Sequence, residues 1–131
     1  MSVRMRALIM APACAFLLAV QGCGGGPVPD ENDPWMVVNA YIEALNAEDR
    51  KAIEGLVDPA YDPAEEIDSR LRRLGGRNLF YETMQFHGTG MADITSVDLG
   101  LKAPANNTTY QDSLSLTRSD GRWRISLGKH R

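Results

Sequence analysis

The chain has 131 residues, of which 44% are hydrophobic and 24% are charged. This length and composition fit one small domain and exclude two. The formal net charge is −3, and this acidic balance argues against a nucleic-acid partner.

Residues 1–22 have the pattern of an export signal. Arg4 and Arg6 give a positively charged start, and an uncharged apolar run from Ala7 to Val20 follows. The run is shorter than the roughly 20 apolar residues of a membrane span, and Pro12 interrupts it. We therefore expect a cleaved signal rather than a transmembrane anchor.

The residues Val20, Gln21, Gly22 and Cys23 resemble the lipobox of bacterial lipoproteins, with Gln21 where most members have a small residue. The resemblance implies cleavage before Cys23, a diacylglycerol on its sulfur and usually acylation of the new amine. Two or three acyl chains, such as palmitate, hold a protein to a bilayer. We expect an exported protein anchored to the outer face of the cell membrane; the alternative is a secreted protein cut near Gly22.

The use of cysteine agrees with lipidation. Cys14 lies in the discarded run, so Cys23 alone remains in the mature chain and no disulfide can form within the domain. The residues from Gly24 to Asp33 are rich in glycine, proline and acids. The sequence thus predicts a lipidated flexible tether, residues 23–33, and one folded domain, residues 34–131.

Two helices are predicted between Asp33 and Val57. Asp33, followed by Pro34, and Asp49 are the expected N-caps, and Asp58-Pro59 ends the second helix. The first helix carries an apolar stripe at helical spacing, formed by Trp35, Val38, Ile42 and Leu45.

A third helix is predicted after the start signal Asp62-Pro63, and Gly75-Gly76 ends it. Its apolar stripe contains Ile67, Leu71 and Leu74. The pairs Glu66 with Arg70 and Asp68 with Arg72 are expected on its exposed side.

From Asn78 onward the apolar residues alternate, which predicts strands. A second strand is expected from Met91 to Lys102, with a bulge between Ile94 and Val97 that corrects their phase. The first strand has one apolar face, on which Glu82 is unexplained, formed by Phe80, Met84 and Phe86.

The last hairpin has the clearest signal. Asp120-Gly121 is typical of a type I′ turn, which needs positive φ at both central residues. This turn pairs Ser119 with Arg122, Leu116 with Ile125 and Leu114 with Leu127. It therefore predicts one apolar face, formed by Leu114, Leu116, Trp123, Ile125 and Leu127.

These elements predict an α+β fold in which N-terminal helices pack on a curved four-stranded antiparallel sheet, in a cone-like shape. Over Pro34 to Arg131 the order of elements resembles the nuclear-transport-factor-2-like superfamily, including its polyketide-cyclase-like and lipoprotein members. VNAYIEALNAEDRKAIEGL resembles the first helix and turn of that family, and DGRWRISLG resembles its closing strand. The resemblance implies a cone that, in some members, holds an apolar ligand beside an acid or a His–Asp pair.

The candidates for such a site are His87, Asp93, Asp98, Tyr41 and Tyr110, and none lies in a catalytic motif. Simpler interpretations are a turn residue for His87, solvent exposure for the aspartates and packing for the tyrosines. Two histidines without clustered carboxylates make a poor metal site. We predict no catalytic, cofactor-binding or metal-binding residue, and only Cys23 as a modified site.

Acidic residues predominate up to Asp68 and basic residues after it. The basic side chains form either a patch for an anionic surface or a well-solvated exterior, and the second interpretation is the simpler one. Most of them lie on the third helix and near the C-terminus: Arg70, Arg72, Arg73, Arg77, Arg118, Arg122, Arg124, Lys129 and Arg131.

The sequence favours a lipid-anchored, non-enzymatic cell-envelope domain that binds an unidentified protein or small molecule. The alternative is a small cone-shaped isomerase or cyclase relative, or an apolar-ligand carrier, with an internal carboxylate such as Asp93 or Asp98. A hollow apolar cone would favour the alternative. The first interpretation predicts a cone filled by Trp35, Phe80, Phe86 and Trp123.

Overall fold

A computed structural model describes residues 33–131. The predicted export signal, the lipidation site Cys23 and the tether before Asp33 lie outside the described residues. In chain order the elements are α1 (Pro34–Asn46), α2 (Arg50–Leu56), β1 (Tyr61–Asp62), α3 (Ala64–Leu74), β2 (Phe80–Gly88), β3 (Ile94–Ala103), β4 (Thr108–Ser119), β5 (Arg122–Ser126) and β6 (Lys129–His130).

The predicted helix starts are confirmed by the side chains that cap them. The Asp33 carboxylate accepts a hydrogen bond of 2.9 Å from the Trp35 amide, and the Asp49 carboxylate accepts one of 3.0 Å from the Ala52 amide. Each bond satisfies an amide that has no partner inside its helix. Asp62 similarly accepts from the Ala64 amide, immediately before α3.

Two predictions about helix surfaces are wrong. Trp35 is exposed. The buried face of α1 includes Val37 and Tyr41, and Trp35 lies outside this face. Asp68 pairs with Arg50 of α2 instead of Arg72. The predicted pair between Glu66 and Arg70 is present at 3.3 Å.

The main sheet has four strands in the order β2-β3-β4-β5, and all neighbours are antiparallel. The bulge lies in β2, because Tyr81 pairs with Leu101 and Thr83 with Gly100, which leaves Glu82 as the extra residue. The bulge predicted between Ile94 and Val97 is wrong, since β3 pairs with β4 without a shift.

The bulge in β2 explains why Glu82 interrupted the alternation. It puts Phe80 opposite Lys102, whereas Met84 and Phe86 lie opposite the buried residues Leu99 and Val97. Phe80 therefore does not share a face with Met84 and Phe86, and this part of the prediction is wrong. The sequence showed the disturbance at Glu82 but left it unexplained, and the bulge was predicted in the next strand from the phase of Ile94.

The closing hairpin has the predicted turn, and its register is as predicted as far as Ser126, where β5 ends. Asp120 and Gly121 have φ of 55° and 76°, the positive values that a type I′ turn requires. Ser119 pairs with Arg122 and Leu116 with Ile125. The whole predicted apolar face is buried, from Leu114 on β4 to Leu127 after β5.

A second, two-stranded sheet was not predicted. In it β1 pairs with β6, which ties the segment between α2 and α3 to the C-terminus. Gly128 makes the close approach possible, since it has φ +93° and a Cβ there would lie 2.2 Å from the Asp62 carbonyl oxygen.

The α+β prediction is confirmed: helices pack on one face of a four-stranded antiparallel sheet. One core joins the helices to that face. Its fully buried side chains include Tyr41, Leu45, Ile53, Ile67, Leu74, Leu99, Leu101, Leu116 and Ile125. By burying this face, the packing also encloses the carboxylate of Asp112.

Candidate functional site

Asp112 is a charged residue on the core side of the sheet. It lies opposite the buried Leu99 of β3. On β4 its side chain is on the same face as those of Leu114 and Leu116. Its side chain is only 3% exposed. A carboxylate at such a position is costly unless it is paired and hydrogen-bonded.

Two side chains from different helices meet this carboxylate. The hydroxyl of Tyr41 on α1 donates to Asp112 Oδ2 at 2.7 Å. Arg70 of α3 reaches in with Nη1 at 2.7 Å from Oδ1 and 2.9 Å from Oδ2, and the same nitrogen is 2.9 Å from the Tyr41 oxygen. We call Tyr41, Arg70 and Asp112 the buried polar cluster.

The cluster is fully satisfied. The Ser113 amide also donates to Asp112 Oδ1 at 2.9 Å, and Glu66 lies 3.3 Å from Arg70 Nε. Among the described residues no buried side-chain nitrogen or oxygen lacks a hydrogen-bond partner. The cluster therefore links α1, α3 and β4 without leaving an unpaired polar atom in the core.

Burial, followed by the Asp112 negative charge, raises the pKa of Tyr41 well above its usual value. The Arg70 charge opposes this shift but does not cancel it. Burial by itself lowers the pKa of Arg70. The interactions of Arg70 with Tyr41 and Asp112 raise its pKa by more, so the net shift is upward. At neutral pH Tyr41 is thus a neutral donor and Arg70 a cation.

The arginines of α3 also cover an open part of the sheet. β5 pairs with β4 only from Ser115 onward, so the preceding residues of β4 have no strand on that side in the described part of the chain. Arg73 Nη1 donates to the Gln111 carbonyl at 3.2 Å, and Arg70 Nη2 donates to the Ser113 carbonyl at 3.5 Å. These contacts satisfy edge carbonyls that a fifth strand would otherwise bind.

The candidates from the sequence do not come together. His87 and Asp98 form a pair of 2.9 Å, but both side chains are at least half exposed on the sheet face away from the helices. His87 lies within β2 and not in a turn, so that interpretation of it is wrong. Asp98 faces solvent as predicted.

The remaining candidates occupy separate places. Asp93 is exposed, as predicted, and binds Arg118 at 3.0 Å. Tyr110 is half-buried at the core edge, with the Arg77 guanidinium 5.3 Å from its ring centre. Tyr41 alone belongs to the buried polar cluster, and its packing in the core confirms the prediction.

Sequence reasoning missed the partners of Tyr41. It placed Arg70 on the exposed side of α3 and did not consider Asp112. A signal for Asp112 was present, because it stands two residues before Leu114 and four before Leu116, on the predicted apolar face.

The predicted aromatic filling of the cone is wrong for three of its four residues. Only Trp123 is buried; Trp35, Phe80 and Phe86 are exposed. The interior is filled instead by aliphatic side chains and Tyr41.

Many of the basic side chains bind backbone carbonyls. Arg124 donates to Gly55 at 3.3 Å, and Arg131 donates to Pro59 and Tyr61 at 3.1 Å each. These bonds hold β5 and the C-terminal residue against the end of α2 and the loop after it.

Surface clefts are lined mainly by polar residues. One of about 800 Å³ lies at the start of α3 and contains Glu65, Ser69, Arg70, Ser126 and Lys129. Another of about 560 Å³ lies beside the buried polar cluster, and its lining comprises Arg70, Thr83, Gln85, Asp98, Leu99, Gln111, Asp112 and Ser113.

Within residues 33–131 no group of three or more His, Cys, Asp or Glu could hold a metal ion. None of the helices in this part of the chain is long and apolar enough to cross a membrane.

Comparison with solved structures finds several similar chains. A de novo designed protein with a curved β-sheet is similar at a TM-score of 0.47 and 14% sequence identity, over 76% of this chain and 100% of the designed one. Neither a model of a known family nor a curated protein matches the chain.

Proposed function

We propose that this protein is a lipid-anchored, non-enzymatic cell-envelope lipoprotein whose domain, residues 34–131, binds a partner. The basic start, the apolar run and the lipobox-like residues ending at Cys23 support export and lipidation. The order of helices and strands supports placing the domain in the nuclear-transport-factor-2-like superfamily as part of the same proposal.

The non-enzymatic part of the proposal rests on the hydrogen bonds that occupy the Asp112 carboxylate. A carboxylate that acts as a base needs a free oxygen facing its substrate. Both oxygens of Asp112 are bound by Arg70, and one also accepts from Tyr41, which is completely buried. The exposed Asp93 and Asp98 lack the desolvated setting that the enzyme alternative requires.

The partner surface that we favour is β2. In the described part of the chain β2 is an outer strand of the main sheet, and Phe80 and Phe86 are exposed on opposite faces of it. Edge strands with exposed apolar side chains pair readily with extended segments of other proteins. The polar lining of the clefts gives less support to an apolar small-molecule ligand.

Metabolic labelling with a fatty-acid probe tests the lipid anchor. Wild-type protein and a Cys14→Ala control should label equally, because Cys14 lies in the part that is removed. Cys23→Ala should lose the label and leave the membrane fraction. Equal labelling of Cys23→Ala and wild type would refute the proposal.

Photocrosslinking in cells tests the partner surface. A crosslinkable residue in place of Phe86 should capture a discrete protein, whereas the same residue in place of Asn106, in the exposed loop before β4, should not. Absence of a product at Phe86 would contradict partner binding through β2.

A further inference from the structure

Three exposed apolar side chains lie at the amino-terminal end of the domain. Trp35 and Met36, in the first turn of α1, are 42% and 36% exposed, and Tyr81 of β2 is 38% exposed. The Trp35 and Tyr81 rings touch edge to face, with centres 6.2 Å apart. We call Trp35, Met36 and Tyr81 the amino-terminal patch.

Single exposed hydrophobic residues are normal on a protein surface. Here two aromatic rings are packed against each other at the point where the chain enters the fold. Burial against the core does not explain them, because α1 turns its other apolar side chains inward, from Val37 to Leu45.

The length of chain before the patch sets its distance from the proposed anchor. Cys23 and Trp35 are 12 positions apart. A flexible chain of this length has a root-mean-square span of about 20 Å, and full extension gives about 40 Å. The radius of gyration of a domain of this size is about 13 Å. The patch is therefore on the part of the domain that the tether holds nearest to the lipid.

Tethering also lowers the affinity that the patch needs. A short flexible linker gives an effective concentration in the millimolar range, so a weak contact is occupied much of the time. Trp and Tyr suit the boundary between headgroups and acyl chains, because each has an apolar ring and one polar group.

We propose that the amino-terminal patch docks on the surface of the bilayer that holds the lipid on Cys23, so that the domain lies against the membrane. The inference rests on the proposed lipid anchor. The docking is apolar in character, since the acidic residues Asp30, Glu31 and Asp33 shortly precede Trp35 in the sequence. It therefore does not require anionic lipids.

The test uses residues 23–131, which contain every described element of the fold, with Cys23 coupled chemically to a maleimide lipid in phosphatidylcholine vesicles. Bromine on the acyl chains quenches tryptophan that reaches them. The chain has two tryptophans, and Trp123 is buried. The difference between wild type and Trp35→Phe therefore reports Trp35.

We expect the Trp35 emission to shift to shorter wavelength and to be quenched when the protein is coupled. A Met36→Ser/Tyr81→Ser variant, which changes only exposed side chains of the patch, should lose most of both effects. Circular dichroism should show that its fold is intact. Replacing Phe80 with Ser is the matched control and should leave the quenching unchanged, because Phe80 lies on the other face of β2.

Unquenched Trp35 in coupled protein would overturn the inference. A photocrosslinker in place of Trp35 gives the other outcome. If it captures a protein in cells and the coupled domain shows no quenching, the patch is a protein-binding surface and the inference is wrong. Coupling is chemical, so this result does not depend on lipidation in cells. Failure of fatty-acid labelling at Cys23 would refute the proposed function separately.

Discussion

Replacing Asp112 with Asn removes the negative charge of the buried polar cluster and keeps the shape of the side chain. The Arg70 side chain, only 14% exposed, would then carry a positive charge without its main partner. Breaking a buried ion pair in this way costs about 3–5 kcal/mol. We expect about 3 kcal/mol, the lower end of that range, because Glu66 still contacts Arg70.

That loss is large compared with the roughly 5–15 kcal/mol that stabilises a typical domain. Urea unfolding followed by circular dichroism measures it directly. Asp93→Asn is the matched control, because it breaks the exposed pair with Arg118 and should cost less than about 1 kcal/mol.

A second variant distinguishes the lost pair from a general defect. Arg70→Met together with Asp112→Asn removes both charges and leaves an amide oxygen that accepts from Tyr41. It should be more stable than the sum of the single changes predicts, because no unpaired charge remains. Additive losses, or a cost for Asp112→Asn no greater than for Asp93→Asn, would refute this account of the cluster.

Three further changes test the fold and its pH dependence. Trp123→Ala should cost about 3–5 kcal/mol in urea unfolding, as large buried aromatics do, and a cost near zero would contradict its burial at 8% exposure. Gly128→Ala should cost at least about 1–3 kcal/mol, because φ there is +93° and the new Cβ would meet the Asp62 carbonyl. Gly88→Ala, whose Cβ meets no atom within 4 Å, is the control and should be nearly neutral. Above about pH 10, an unfolded tyrosine releases its proton, whereas folded Tyr41 keeps it because its pKa is raised. Stability should therefore fall with rising pH in this range, and Tyr41→Phe should fall less steeply; equal slopes would refute the raised pKa.

The sequence was most informative where the controlling interaction is local. Asp33 and Asp49 cap helices through amides two and three residues away, and the turn at Asp120-Gly121 sets the register of the closing hairpin. Together with the alternation of apolar residues, these signals were enough to predict the α+β class.

Distant contacts explain most of what the sequence did not show. Asp112 is 71 positions from Tyr41 and 42 from Arg70, so their meeting depends on how α1, α3 and β4 pack. A helical pattern alone placed Arg70 on the exposed side. The orientation of Trp35 likewise depends on which of two neighbouring apolar faces of α1 the sheet covers.

The bulge shows a different limit. Glu82 disturbed the alternation of β2 visibly, but an extra residue in either strand of a pair can restore the phase of the apolar side chains. The register between β2 and β3 decides which strand carries it, and a single strand contains no information about its partner's position.

The central claim is that the finished protein begins at Cys23 and carries lipid there. Mass spectrometry of the protein isolated from cell membranes tests this most directly. We predict an N-terminal peptide that starts at Cys23 and has the added mass of a diacylglycerol, usually with a further acyl chain. A peptide that retains residues 1–22, or one that begins near Gly22 and contains an unmodified thiol at Cys23, would contradict the account.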